Sequence, residues 1–231
     1  MVKIHGFQKM TLLDYPGKVA CTIFLGACNF RCPFCHNGSL VLAPEKEPLI
    51  PVEDVWKVLK KRQGILDGVC ITGGEPTLSV GLMEFIEQIK EMNYLVKLDT
   101  NGARPEVIKE LLDHQLLDYI AMDIKNSPEK YAQTAGITQV DMNKINESVE
   151  LLKSNVVDYE FRTTVMKELH EKEDFERISE WLAGSKRYFL QTYKETELVI
   201  CPGFSSYSKD ELEKFVQIAR QTIAQVEIRG V

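Results

Sequence analysis

The sequence predicts an α/β fold, an open, partial (β/α)6 TIM-like barrel built on parallel strands. Three observations carry this. Six short apolar runs, each rich in β-branched or aromatic residues, recur along the chain with the character of buried strands. Amphipathic segments separate them, and such alternation implies parallel strands joined by right-handed crossovers. The chain has 231 residues, enough for about six units and too few for the eight of a closed barrel. A doubly wound sheet is the structural alternative. No low-complexity tract, charge block or Gly/Ser linker interrupts the pattern, so residues 1–231 are expected to form one domain.

The strands are expected at 19–25, 68–71, 94–98, 119–123, 156–164 and 187–191. Between the second and third, Leu82, Phe85, Ile86 and Ile89 fall at i, i+3, i+4 and i+7, one face of a helix. Val107, Ile108, Leu111 and Leu112 repeat that spacing in part, with Pro105 in the first turn, where its missing N–H costs nothing. Phe175, Ile178 and Leu182 form another stripe. The last helix is the clearest. Ser208 and Glu211 make a capping box, and Leu212, Phe215, Val216, Ala219 and Ile223 line its apolar face. The proline-rich stretch 43–51 reads as a loop leading into a helix. These stripes are core faces.

Composition narrows the function. Hydrophobic residues at 44% and charged residues at 27% are ordinary for a globular protein. The net charge of −6, from 28 basic and 34 acidic residues, argues against a nucleic-acid partner, which needs a cationic face. No apolar run approaches the ~20 residues that span a bilayer, and the opening MVKIHGFQKM lacks the apolar core of a secretory signal. A cytoplasmic protein with no membrane attachment is expected. In a reducing cytosol its cysteines are not a disulfide framework. Cys21, Cys70 and Cys201 are scattered and expected to act as small buried hydrophobes, whereas Cys28, Cys32 and Cys35 are clustered.

Polar residues gather just after each apolar run. The first is followed by Gly26-Ala27-Cys28-Asn29-Phe30-Arg31-Cys32-Pro33-Phe34-Cys35-His36-Asn37 and the second by Thr72-Gly73-Gly74-Glu75-Pro76-Thr77. The others end in Asp99-Thr100-Asn101-Gly102, Asp123-Ile124-Lys125, Arg162-Thr163-Thr164 and Gln191-Thr192-Tyr193. Parallel strands place all of these on one rim, where α/β sheets and barrels keep their active sites.

The C-x3-C-x2-C spacing brings three thiolates together without tertiary help. A structural zinc site needs a fourth protein ligand, and His36, next to Cys35, is poorly placed to supply it. An electron-transfer [4Fe–4S] cluster normally takes four cysteines. Three leave one iron open, as a catalytic metal requires. The spacing favours that reading, with zinc the alternative.

The run from Cys28 to Cys35 resembles the signature of the radical S-adenosylmethionine (SAM) superfamily. CNFRCPFCHN, ITGGEPT, DTNG and DIK together resemble the activating enzymes of glycyl radical enzymes. Leu12-Leu13-Asp14-Tyr15-Pro16-Gly17 is similar to activators of the anaerobic ribonucleoside-triphosphate reductase. The resemblance implies one [4Fe–4S] cluster on Cys28, Cys32 and Cys35, with SAM chelated at the open iron. One electron would then break its S–C5′ bond to give methionine and a 5′-deoxyadenosyl radical. It implies that Gly73, Gly74 and Glu75 serve the methionine amino group, Asp123 the ribose hydroxyls and Lys125 the methionine carboxylate. Asp99 would lie near the cofactor or a monovalent cation. Phe34 and, more weakly, His36 would flank the adenine. The stretch after the sixth strand has no histidine, so Tyr193 or Gln191 is expected to substitute there. Arg162 would reach the cofactor carboxylate or a substrate peptide, or only make a salt bridge. No side chain is assigned a direct catalytic role. The implied partners are a glycyl radical enzyme, with anaerobic ribonucleotide reductase foremost, and flavodoxin or ferredoxin as electron donor. A small-molecule radical enzyme similar to 7-carboxy-7-deazaguanine synthase, and a non-catalytic zinc or electron-transfer module, are the other readings.

Overall fold

The computed structural model describes residues 2–230. Its strands are β1 (Ile4–Thr11), β2 (Ala20–Leu25), β3 (Gly68–Gly73), β4 (Leu95–Thr100), β5 (Tyr119–Asp123), β6 (Asp158–Val165), β7 (Arg187–Thr192) and β8 (Gln225–Arg229). They form one eight-stranded sheet in sequential order. Strands β2 to β8 run parallel, and β1 pairs antiparallel with β2. The two edges, β1 and β8, do not pair with each other among the described residues, so the barrel is open. The helices are α1 (Gly38–Leu42), α2 (Val52–Lys61), α3 (Leu82–Glu91), α4 (Pro105–Asp113), α5 (Tyr131–Thr134), α6 (Met142–Lys153), α7 (Lys172–Trp181) and α8 (Lys209–Ala219). None of the described helices is long and apolar enough to cross a membrane.

All six expected strands form, as β2 to β7. The capping box at Ser208 and Glu211 starts α8, and the stripes on α3, α7 and α8 are buried. Besides the short helices α1 and α5, three elements lie outside the sequence expectation. Strand β8, QVEIR, alternates polar with apolar residues, and β1, IHGFQKMT, is largely polar and exposed towards its end, because each lies at an edge and is only partly covered. Helix α6 has a short stripe, Ile145, Val149 and Leu152, capped by Asp141 accepting from the Asn143 N–H at 3.1 Å. The barrel therefore holds seven parallel strands and one antiparallel strand, not six.

The strands are also less uniform than buried strands of a parallel sheet. Val96, Leu98, Ile120, Met122, Tyr159, Phe161, Tyr188 and Leu190 join the helices in one apolar core. Residues of opposite parity form polar contacts instead, as a period of two demands. Among them Glu160 is fully buried and accepts from Tyr119 Oη at 2.8 Å and from both Arg229 guanidinium nitrogens at 2.5 and 2.8 Å. Arg229 also lies over the Phe189 ring, 3.4 Å from its centroid. That fork ties the short edge strand β8 to the barrel interior. Cys21 and Cys70 are buried as expected, but Cys201 is exposed. It belongs to the long loop after β7 and contributes its backbone N–H, not its thiol, to packing.

Removing one partner of a buried ion pair strands the other. Arg229→Ala is therefore expected to cost about 2–3 kcal/mol, discounted because the arginine is partly solvated. Equilibrium urea unfolding would measure it, with Arg229→Lys recovering part of the loss.

Candidate functional site

The loop after β2 carries the cysteines, and three neighbouring segments hold it. The Ala27 N–H donates to Leu40 O at 2.8 Å, fixing the loop to α1. The Arg31 N–H donates to Ala135 O at 2.8 Å, and Gly136 packs directly on Arg31, with a backbone φ of 68° that suits glycine. From the other side come Gly73 and Gly74. The Gly74 N–H donates to Leu25 O at 2.8 Å and the Glu75 N–H to Ala27 O at 2.7 Å. A Cβ on Gly74 would overlap the Ala27 carbonyl, and one on Gly73, at φ 117°, would overlap Leu25. The glycines are thus required by the approach of one loop to another, where the sequence suggested approach to a ligand.

Glu75 is buried and fully engaged by its own chain. Its Oε1 accepts from the Thr77 N–H (3.1 Å), Thr77 Oγ1 (2.6 Å) and Thr100 Oγ1 (2.8 Å), and its Oε2 from the Asn101 N–H (2.7 Å). Burial pushes its pKa up, and these donors oppose that. The carboxylate latches the ends of β3 and β4 together. Asn101 then reaches back, donating from Nδ2 to Asn29 Oδ1 at 2.8 Å in the cysteine loop, while Asn37 Nδ2 donates to Gly73 O at 2.6 Å.

These loops enclose a cavity of about 230 Å3. Cys28, Cys32, Cys35, Phe34, His36, Gly73, Gly74, Glu75, Asp99, Asp123 and Lys125 all line it, and so do Arg162 and Gln191. Tyr193 does not. It is buried behind His36, ring centroids 5.8 Å apart, and His36 Nε2 pairs with Lys194 O at 2.6 Å. The place expected for Tyr193 at the cavity wall falls to Gln191. The loop after β7 also covers the cysteines from outside, where the Cys201 N–H donates to Pro33 O at 2.8 Å.

The floor is a ladder of alternating charge across β4, β5 and β6. Lys97 contacts Asp99 Oδ1, and Arg162 Nη1 reaches Asp99 Oδ2 at 3.3 Å. Arg162 grips Asp123 Oδ1 through Nε at 3.0 Å and Nη2 at 2.9 Å, and Lys125 Nζ meets Asp123 Oδ2 at 3.0 Å. Arg162 is thus a salt-bridging residue, with two of its nitrogens on one Asp123 oxygen and a third on Asp99. Burial pushes the Asp123 pKa up, but Arg162 and Lys125 outweigh it and hold it at about 2. Lys125 is held well above its ordinary value, Asp123 overcoming the effect of burial.

Two supports of this floor had no signal in the sequence. Buried His170 donates from Nε2 to the Lys125 carbonyl at 2.9 Å, while its Nδ1 accepts from the Met166 N–H at 3.4 Å. Burial keeps that ring below its ordinary pKa, in the neutral form these contacts need. Tyr131 Oη donates to Asp123 O at 3.2 Å.

Residues 22–182 match the Radical SAM superfamily. The chain belongs to the radical SAM superfamily. A Methanocaldococcus jannaschii protein provisionally named a glycyl-radical enzyme activating enzyme is 32% identical over 237 residues, covering 99% of this chain and 96% of that one. The pyruvate formate-lyase-activating enzyme of Clostridium pasteurianum is 31% identical over 132 residues, covering 54% and 53%. In fold, the chain is similar to Streptococcus suis SuiB bound to S-adenosylmethionine, at a TM-score of 0.68 and 14% identity over 88% of this chain and 48% of that one. Enzymes of this superfamily use a [4Fe–4S] cluster and SAM.

The residues present fit both groups. Burial pushes the Cys32 thiol up to about 12, with Lys125 the largest opposing influence, so a strong electropositive centre is needed to hold it as thiolate. Cys28, Cys32 and Cys35 line one cavity, which suits ligands bound to separate irons. A monovalent cation beside Asp99 does not fit. The positive charges of Lys97 and Arg162 already flank its two carboxylate oxygens and repel a further cation.

An acid whose pKa is depressed on folding stabilises the protein above its unfolded value, and that stabilisation is lost as pH falls through the folded value. For Asp123 the window runs from 3.8 down to about 2. Urea unfolding of the cluster-free chain across that window should show a steep loss of stability, and a shallower one in Asp123→Asn.

Proposed function

We propose that this chain is a radical SAM activase that generates a glycyl radical on a partner enzyme, foremost the anaerobic ribonucleoside-triphosphate reductase. The observation that carries this is the three-thiol loop facing the Asp123–Lys125–Arg162 ladder across one cavity, in a chain whose likeness to a provisional activase extends over 99% of its length. The finer choice of reductase rests on the Leu12–Gly17 resemblance.

In this reading Cys28, Cys32 and Cys35 hold the [4Fe–4S] cluster. When bound and reduced, the cluster would supply the electron for reductive cleavage of the SAM S–C5′ bond, the chemistry that would make a hydrogen-abstracting radical for the substrate glycine. Lys125 pairs with the methionine carboxylate, an ammonium fixed at its root by His170 and in direction by Asp123. Asp123 accepts from the ribose hydroxyls while Arg162 keeps it ionised. The amino group is left to backbone carbonyls of the Gly73-Gly74 turn, since the Glu75 carboxylate is occupied. Phe34, His36 and Gln191 supply the wall for adenine. The loops that bury Cys32 exclude water from the reacting atoms. The scattered Cys21, Cys70 and Cys201 supply no second cluster, so the electron comes from a separate carrier, flavodoxin or ferredoxin.

The test is anaerobic reconstitution followed by mixing with the reductase, SAM and reduced flavodoxin. A glycyl radical doublet in the electron paramagnetic resonance spectrum is expected, with one 5′-deoxyadenosine formed per radical. Cofactor cleavage with no protein radical would assign the chain to small-molecule chemistry. Cys32→Ala should lose both iron and cleavage, since two thiolates do not replace three.

A further inference from the structure

Lys97 is a lysine in the middle of a strand, 2% exposed, and it does not line the cavity. Such burial is rare for an ammonium unless it is paired. Its partners are Asp99 Oδ1 and, at 3.8 Å, the Cys70 thiol. It lies two residues before Asp99 on the same strand, beneath the cavity floor, and ends the ladder opposite Lys125. The five groups Lys97, Asp99, Arg162, Asp123 and Lys125 carry three positive and two negative charges, so the ladder presents an excess of one positive charge. Without Lys97 the excess vanishes, and Asp99 competes with Asp123 for Arg162.

We propose that Lys97 is a built-in monovalent cation. Its ammonium occupies the seat beside Asp99 that a free sodium, potassium or ammonium ion would need, and it frees this protein from dependence on such ions. Lys97 is a positioning residue: it satisfies Asp99, leaves Arg162 to grip Asp123, and so sets the aim of Lys125. The alternation of partners is what a free ion would otherwise have to complete, but a tethered ammonium needs no binding equilibrium and is never lost at low salt.

The consequence for SAM affinity rests on the reading of this cavity given above; the consequence for unfolding does not. The experiment uses the full chain, with and without its cluster, in choline chloride exchanged for KCl or NH4Cl at constant ionic strength. The wild-type unfolding temperature should be flat across the exchange. Lys97→Ala removes the charge and leaves a hole. Its unfolding temperature should fall in choline and recover by about 3–5 °C in NH4Cl, the shift given by a ligand near ten times its Kd in a domain of this size. Lys97→Met removes the charge but fills the hole, and it should not recover. For the cluster-loaded protein, SAM Kd in Lys97→Ala should rise about tenfold in choline, the scale of losing one nearby charge. It should return to within about threefold of wild type in NH4Cl.

A wild type stabilised by potassium or ammonium as strongly as the alanine variant would overturn the proposal, and that arm needs no variant to fold. Equal behaviour of the Ala and Met variants would also overturn it, by showing a purely structural loss. Cation rescue of unfolding without any effect on SAM Kd would overturn the positioning role of Lys97, whereas a cluster-loaded wild type that binds no SAM at all would sink the assignment of the cavity and leave the unfolding result standing.

Discussion

Everything at the rim depends on keeping ionised groups buried together in register. Asp99, Asp123 and Arg162 come from three neighbouring strands, and Asp123 stands directly beside Arg162 in the β5–β6 pairing. A buried charge is tolerated only when paired and hydrogen-bonded, so each strand end is fixed by its partner's position. The parallel sheet supplies that precision because every second residue of a strand faces one side and the strand register sets which residues of neighbouring strands share it. A shift of one residue in any strand would turn its member of the ladder into the apolar core.

The loops above are held to the same standard. Glu75 ties β3 to β4, while Gly73, Gly74 and Gly136 allow their segments to press on the cysteine loop from two sides. His170 joins the loop after β6 to the end of β5, and Tyr207 Oη donates to the His170 carbonyl at 2.6 Å from the loop after β7. The cysteine loop therefore has little freedom of its own. Preorganisation of this kind is what a site handling a reactive radical needs, because water and stray hydrogen donors must be kept out.

The sequence conveyed the strand–helix alternation, the common rim and nearly every residue at the cavity, because short-range patterns determine each of these. It did not convey β1 and β8, whose half-covered, largely polar segments IHGFQK and QVEIR read as loop. Nor did it convey the roles of the supports. Glu75 stood out as a ligand candidate, yet only the fold reveals that Thr77, Thr100 and Asn101 consume its oxygens. His170 and Gly136 sit in ordinary loops and act on residues 45 and about 105 positions away, a separation no local pattern encodes. Lys97 was the one visible clue, a charge interrupting the apolar run Leu95-Val96-Lys97-Leu98. A lysine at a buried strand position has to be paired, and its partner was two residues further on.

The central claim is that three thiols leave one iron of a cluster open and that the ladder holds SAM against it. Mössbauer spectroscopy of protein reconstituted with 57Fe, before and after SAM is added, tests it directly. The account predicts one distinct iron among the four of the cluster, whose isomer shift rises when SAM is added, as a four-coordinate site gains ligands. Four irons that remain alike and do not respond to SAM, or protein that takes up no cluster, would contradict it.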